Sequence, residues 1–242
     1  MLSGIDSNGA ILQFEWWESD NPEEALPFTI NQLEKLNQRF SIPSDALEIW
    51  FLHSESLLIP SSHFESGRAV EMLNILHGLA PLAVVKYGYT RDYNLMHAYR
   101  LESALDQALN QHFPNAVREH VLRKIPFSDI SGAQLFLTVY ATELRIHAQL
   151  NDKILLHQVY PYQTKEDVLY RLLLICEGLG WNSAEMGLRI SGLMSADSSL
   201  YTLLHRSFAS LAFESTAFRL HESLQQESYP SQLFSSLLAF TA

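Results

Sequence analysis

The fold is decided by residues 134–213, which read QLFLTVYATELRIHAQLNDKILLHQVYPYQTKEDVLYRLLLICEGLGWNSAEMGLRISGLMSADSSLYTLLHRSFASLAF. Within this stretch, apolar and polar residues alternate strictly over 143–150, the pattern of a strand with one buried and one solvent-facing side. Apolar runs at 134–140 and 153–160 flank it, and residues 151–152 suit a tight turn. The stretch is therefore expected to open with a meander of three strands.

A long helix is predicted after the meander, at residues 165–179. Thr164 is a suitable N-cap, and Glu166 and Asp167 favour the positive end of the helix dipole. The helix is apolar around most of its circumference, which predicts that it is covered on more than one side. The elements expected next are a strand at 187–191, a helix at 198–206, a strand at 208–213 and a last helix at 230–241.

The chain before this stretch also mixes strands and helices. A hairpin is predicted over residues 2–17, around the turn formers Ser7, Asn8 and Gly9. The segment 126–132 is dense in turn formers, so we place a domain boundary there. The predicted domains are residues 1–130 and residues 131–242.

One helix of the first domain is expected to follow Pro60, with Ser61 or Ser62 as its cap, and to end at Gly78 and Pro81. Its inward face is predicted to carry four apolar residues, Val70, Leu73, Leu76 and Leu79.

The composition describes an acidic chain that is able to bury a core. Of 242 residues, 47% are hydrophobic, and the net charge is -11 with His neutral, which disfavours binding to a phosphate backbone. The single cysteine, Cys176, cannot form an internal disulfide. The sequence shows no signal peptide and no run of roughly twenty apolar residues that could span a membrane. We therefore expect a cytoplasmic protein that does not bind nucleic acid.

Three segments carry a family resemblance: YQTKEDVLYRLLLICEGLG (162–180), LRISGLMSADSSLYTLLHR (188–206) and YPSQLFSSLLAF (229–240). In this order they resemble a bacterial family known only as domain of unknown function 3822. Its members look like the actin-like cytoplasmic domains of secretion and pilus-assembly platform proteins. The resemblance implies an α/β architecture of two ribonuclease-H-like lobes, as in the actin-like ATPase superfamily, with mixed sheets flanked by helices. It implies no established activity.

Actin-like ATPases hold nucleotide with an Asp-x-Gly phosphate loop in each lobe and a Gly-rich adenosine segment. Asp6 and Gly9 approximate the first phosphate loop, although the glycine is one residue late. The corresponding turn of the second lobe, residues 140–143, has no glycine. Ser191 and Gly192 stand at the adenosine segment, where Leu193 replaces a second glycine. Both glycines can serve turns alone, which is the interpretation we favour.

Other residues with reactive side chains give no catalytic signature. The ten histidines lack the spacing of a zinc site. His147 and His157 are expected to point to opposite faces if a two-residue turn joins their strands, and to lie opposite each other with a three-residue loop. Either way, a surface position is the simpler interpretation. Trp16 and Trp17 are interpreted as core residues, or as an anchor for a partner if they are exposed.

The sequence thus favours a non-enzymatic, actin-like scaffold or protein-interaction module with a degenerate nucleotide site and no cofactor. The alternative is a protein that binds, or weakly hydrolyses, ATP with magnesium through Asp6, Gly9, Ser191 and Gly192. Neither the partner protein nor the oligomeric state follows from the sequence.

Overall fold

The computed structural model of the protein divides the chain into two compact units. The N-terminal unit is residues 16–123, and the C-terminal unit combines residues 1–15 with residues 124–242. The residues that the structure describes are 2–5, 11–15, 24–40, 48–90, 93–123, 125, 131–214 and 232. The assignment of residues 1–130 and 131–242 to two ribonuclease-H-like lobes stays a prediction.

The predicted hairpin at the start of the chain is present. Strands β1 (Leu2–Ile5) and β2 (Ile11–Glu15) pair antiparallel, with Leu2 opposite Glu15. The turn residues between them and the pair Trp16 and Trp17 lie outside the described residues.

The N-terminal unit contains two small sheets and three helices in its described residues. Its elements are α1 (Ala25–Phe40), β3 (Glu48–Phe51), β4 (Ser56–Pro60), α2 (Ser66–His77), β5 (Ala83–Thr90), β6 (Leu95–Glu102), α3 (Ser103–His112) and β7 (Val117–His120). Strands β4, β6 and β5 form an antiparallel sheet in that order, and β3 pairs with β7 in parallel.

Helix α2 differs from its prediction in both its start and its inward face. The predicted caps lie in a short 3-10 turn, Ser61–His63, and the helix begins later, after Glu65, without a side-chain cap. Its buried residues are Ala69 and Leu73, whereas Leu76 is 63% and Leu79 is 85% exposed. Leu79 lies beyond the end of the helix at His77 and Gly78, so it belongs to no helix face. Ala69 and Leu73 are spaced by four and share the buried face, and Leu76 lies at its margin.

The C-terminal unit is built on a five-stranded mixed sheet whose elements follow the predicted order. They are β8 (Ala133–Val139), β9 (Glu143–Leu150), β10 (Lys153–Pro161), α4 (Lys165–Leu179), β11 (Gly187–Gly192), α5 (Ser199–His205) and β12 (Ser210–Phe213). The strands lie in the order β10-β9-β8-β11-β12. The first three are antiparallel, whereas β8, β11 and β12 run parallel.

Helix α4 begins and ends where the sequence predicts. Thr164 accepts a hydrogen bond from the Asp167 N–H, and the Asp167 carboxylate accepts one from the Thr164 N–H, so both orphan donors are satisfied. Gly180 ends the helix at φ +70°, in the left-handed region. The helix buries only one face, which includes Leu172 and Cys176. The prediction that it is covered on several sides is wrong, because Leu173 and Leu174 are exposed.

Candidate functional site

Ser191 is held inside the sheet of the C-terminal unit. It stands opposite Thr138 where β11 and β8 pair in parallel, and it is 1% exposed. The Ser191 Oγ lies 2.9 Å from the Thr138 Oγ1. The Thr138 hydroxyl also accepts a hydrogen bond from Arg145. The hydroxyl of Ser191 therefore has a structural partner within the sheet.

Gly192 ends β11 in a conformation that suits glycine alone. Its φ is +88°, and a Cβ at this position would lie 2.1 Å from the Val139 carbonyl oxygen. The next two backbone donors are used locally: the Leu193 N–H binds the Val139 carbonyl, and the Met194 N–H binds the Gly192 carbonyl. Gly192 thus lets the end of β11 approach the Val139 backbone closely and lets the chain turn after the strand.

The turn between β8 and β9 is the one that the family resemblance compares with a phosphate loop. It is a tight hairpin turn, in which the Tyr140 N–H donates to the Glu143 carbonyl over 2.9 Å. Tyr162 secures it from the end of β10, donating through its hydroxyl to the Tyr140 carbonyl. Only Ala141 and Thr142 are exposed at its tip.

Strand β9 is buried on both faces, contrary to the prediction of a solvent-facing side. Ile146 and its apolar neighbours face the core under α4. On the other face Arg145, His147 and Gln149 are 3%, 1% and 5% exposed. The alternating pattern identified the strand correctly, but a polar face can also be buried where its groups find partners.

His147 and His157 face each other in the sheet, although the turn between their strands has two residues. Leu150 pairs with Lys153, as a two-residue turn requires, but the register then shifts between Ile154 and Leu156. This irregularity brings the two imidazole rings to 5.2 Å between centroids. The predicted surface position is wrong, because His157 is only 4% exposed. The sequence could not reveal an irregularity inside an otherwise regular strand.

The environment of His147 keeps its imidazole neutral. Its Nε2–H donates to the Gln149 Oε1 over 3.0 Å, and the Gln149 amide donates to the Asn151 carbonyl. Burial lowers the pKa of His147 to about 4, with the Arg145 charge acting in the same direction. Among the described residues, no group of three or more His, Cys, Asp or Glu could hold a metal ion.

The remaining predicted residues have the following positions. Asp6 and Gly9 lie outside the described residues. Cys176 is buried under the sheet, and burial raises the pKa of its thiol, as expected for an unreactive cysteine.

An open depression of about 340 Å³ borders α5, and the side chains around it are Ala196, Tyr201, Thr202, His205 and Arg206.

The N-terminal unit has an exposed apolar surface that was not predicted from the sequence. We call it the α2–β5 strip and define it by Met72, Leu76, Leu79, Leu82, Tyr87 and Tyr89, which are 37% to 85% exposed. The signal was present in the sequence, because α2 and its C-terminal loop contain more large apolar residues than one helix face can bury.

A family model described as "Protein of unknown function (DUF3822)" matches residues 12–211. The chain belongs to this family. No curated protein matches the chain.

Solved structures similar to this family member share its fold. One is a protein of Bacteroides thetaiotaomicron with an actin-like ATPase fold and unknown function, at 16% identity and a TM-score of 0.77, covering 98% of this chain and 90% of that chain. Another is the PilM-PilN type IV pilus biogenesis complex, at 11% identity and a TM-score of 0.61, covering 99% and 94%. The predicted actin-like ATPase fold and the predicted family are confirmed, and the function of the family is unknown.

No helix within the described residues is long and apolar enough to cross a membrane.

Proposed function

We propose that this protein is a non-catalytic, actin-like protein-interaction module of the bacterial cytoplasm, built from two ribonuclease-H-like lobes of which the first is divergent. Its nucleotide site has degenerated, so that the fold serves as a scaffold. The fold similarity to a pilus biogenesis complex supports a role in assembly with other proteins. That similarity identifies no partner.

The observation that carries the proposal is the environment of Ser191 and Gly192. The Ser191 hydroxyl is bound to Thr138, and the space beside the Gly192 Cα is filled by the Val139 backbone. The Leu193 and Met194 N–H groups are also bound, to the Val139 and Gly192 carbonyls. A ribose or phosphate needs free donors at such a segment, so this environment supports a degenerate nucleotide site.

Isothermal calorimetry with ATP and MgCl₂ tests this proposal. We expect no heat beyond dilution at millimolar ATP and, in parallel, no rise in Tm when ATP is added to protein that already contains MgCl₂. A ligand at about 100 times its Kd would stabilise the protein by about 2.7 kcal/mol. A micromolar Kd that requires magnesium would overturn the proposal.

The alternative function is binding or slow hydrolysis of ATP with magnesium. The actin-like ATPase fold of the Bacteroides protein favours it. In that case Asp6 and Gly9 would lie near the phosphates and the metal, and Ser191 and Gly192 near the adenosine. The chain would then contribute a carboxylate and backbone N–H groups to the bound nucleotide.

Substitutions distinguish the alternative if ATP binding is detected. Asp6→Asn and Ser191→Ala should each weaken binding about tenfold if these residues contact the ligand, which corresponds to about 1.4 kcal/mol. Gly192→Ala is unsuitable for this purpose, because its Cβ would collide with Val139 whether or not nucleotide binds. Unchanged affinity in both usable variants would place the nucleotide elsewhere.

A further inference from the structure

Strand β5 forms one edge of the three-stranded sheet β4-β6-β5 in the described residues. The Leu82 carbonyl accepts a hydrogen bond from the Ser103 N–H, and Ala83 pairs with Glu102. Because bonded and non-bonded pairs alternate in an antiparallel ladder, Val85, Tyr87 and Tyr89 belong to non-bonded pairs. Their N–H and C=O groups therefore point away from β6, towards the open edge.

The same three residues place their side chains on the sheet face that α2 covers. Val85 packs with the buried core of α2, and the Tyr87 hydroxyl donates to the Ser66 carbonyl at the start of the helix. Residues of a strand that are two apart share a face, so Tyr87 and Tyr89 follow Val85. The outer edge of β5 therefore runs beside the flank of α2 that lies over Tyr87 and Tyr89.

The opposite flank of α2 is occupied by an ion-pair network. Arg100 on β6 donates to the Asn74 side chain, to the Gly78 carbonyl and to Glu55. On a helix, Met72 and Leu76 lie on the other side from Asn74. The α2–β5 strip thus combines exposed apolar side chains with the backbone groups of a strand whose outer edge no other described strand pairs. These are the two requirements for adding a strand.

The charges around the strip favour a basic partner. Glu65, just before α2, and Glu102, opposite Ala83, are both exposed. Arg68 is the one exposed cation on α2. Lys86 on β5 is engaged by Asp106, so the local balance is two acidic groups to one basic group, in a chain whose net charge is -11.

We propose that the α2–β5 strip binds an extended segment of a partner protein, which adds a strand to β5, packs alternate apolar side chains against α2 and carries flanking Lys or Arg residues. This inference rests on the proposed function and deepens it by naming the surface and the class of partner. Main-chain hydrogen bonds supply affinity in this mode, and the alternate side chains supply specificity.

The probe is a fluorescein-labelled peptide, KKVTVTVKK, titrated with the full chain and followed by fluorescence anisotropy. We expect saturable binding that weakens with added salt. The matched peptides are EEVTVTVEE, which reverses the flanking charge, and KKVTPTVKK, which removes a backbone donor, and each should bind about tenfold more weakly. Equal binding of all three peptides, or no binding of KKVTVTVKK, would overturn the inference.

Two substitutions at Tyr87 separate the backbone from the side chain. Tyr87→Pro removes an N–H that points to the open edge, whereas Tyr87→Ala removes the ring and keeps that N–H. We expect the proline variant to bind at least fivefold more weakly than the alanine variant. Equal affinities of the two variants would contradict strand addition.

A second pair of variants keeps the test valid if the proline variant does not fold. Leu82→Ser removes an apolar residue of the strip that is 80% exposed, and Leu174→Ser removes one on α4 that is 43% exposed. Only the first should weaken peptide binding, by about fivefold, and circular dichroism should show both folded. Equal effects would place the peptide outside the strip.

The oligomeric state shows whether a second copy of the chain, and not a partner protein, occupies the edge of β5. If sedimentation shows a dimer that Tyr87→Pro dissociates, a second copy of the chain occupies the edge and the inference fails. ATP binding alone would refute the absence of a nucleotide site but leave the peptide result intact. Peptide failure alone would refute this surface and leave the calorimetric result intact.

Discussion

At the scale of single residues, Gly192 is a position where the backbone of a neighbouring strand leaves no room for a side chain. We expect Gly192→Ala to lower the free energy of unfolding by about 2 kcal/mol or more, because it combines a φ of +88° with a Cβ only 2.1 Å from the Val139 oxygen. Urea denaturation followed by circular dichroism measures this loss.

Gly178→Ala is the matched control for that substitution. Its Cβ meets no atom within 4 Å and lies within α4, where alanine is the better helix former. It should therefore stabilise the protein, by up to about 1 kcal/mol. Equal destabilisation by both substitutions would contradict the structural role given to Gly192.

Buried histidines make stability depend on pH. Burial lowers the pKa of His147, and separately that of His53, from 6.5 to about 4. Between these values the unfolded chain binds more protons than the folded one, so stability is complete above pH 6.5 and is lost as the pH falls towards 4. Each group contributes a slope of about 1 kcal/mol per pH unit near pH 5.5.

The measurement is the free energy of unfolding from pH 7.5 to pH 4.5 in the wild type and in His147→Gln. The variant should show a shallower slope, because one of these two imidazoles with a lowered pKa has been removed. NMR should show the His147 ring resonances unchanged from pH 8 to pH 5. A midpoint near pH 6.5 would contradict the buried, neutral state of this imidazole.

At the scale of elements, α2 is attached to its sheet by a buried arginine. The Arg100 guanidinium is 5% exposed and binds the Asn74 side chain and the Gly78 carbonyl at the C-terminal end of the helix. Arg100→Met should destabilise the protein by about 2 kcal/mol, because charged hydrogen bonds are lost and these acceptors are left unpaired. Thermal denaturation followed by circular dichroism measures this change.

Arg68→Met is the control, because Arg68 is an exposed cation on the same helix. Its removal should change stability by less than about 0.5 kcal/mol. If both variants were equally stable, the network around Arg100 would not hold the end of α2.

Elements were predicted best where local signals suffice. The capping box at Thr164 and Asp167 and the terminal Gly180 place α4 within a residue of its predicted ends. The predicted start of α2 was wrong. Ser61 is a good cap by residue type, but it lies in a 3-10 turn and its hydroxyl donates to the Asn94 side chain instead. A cap is identified by residue type, but its use depends on tertiary partners.

At the scale of the whole molecule, the net charge of -11 makes nucleic acid a poor ligand. We expect no binding of a labelled 20-base-pair DNA duplex at 50 mM salt, because affinity for DNA depends on phosphate neutralisation by Lys and Arg. Fluorescence anisotropy measures this, with a basic DNA-binding protein as the positive control. Salt-sensitive binding below about 10 µM would reveal a basic patch and contradict the expectation.

The sequence by itself determined the order of elements in residues 134–213, because periodicity, caps and turn residues are local properties of the chain. The family and the actin-like fold followed from the resemblance of three of its segments to a known family. Only the tertiary structure decided which faces are buried. It placed the polar face of β9 in the interior, turned His147 towards His157 through an irregular register, and left Leu76 and Leu79 in solvent beside an open strand edge. Burial depends on which elements come together, and the pattern of a single strand or helix does not contain that information.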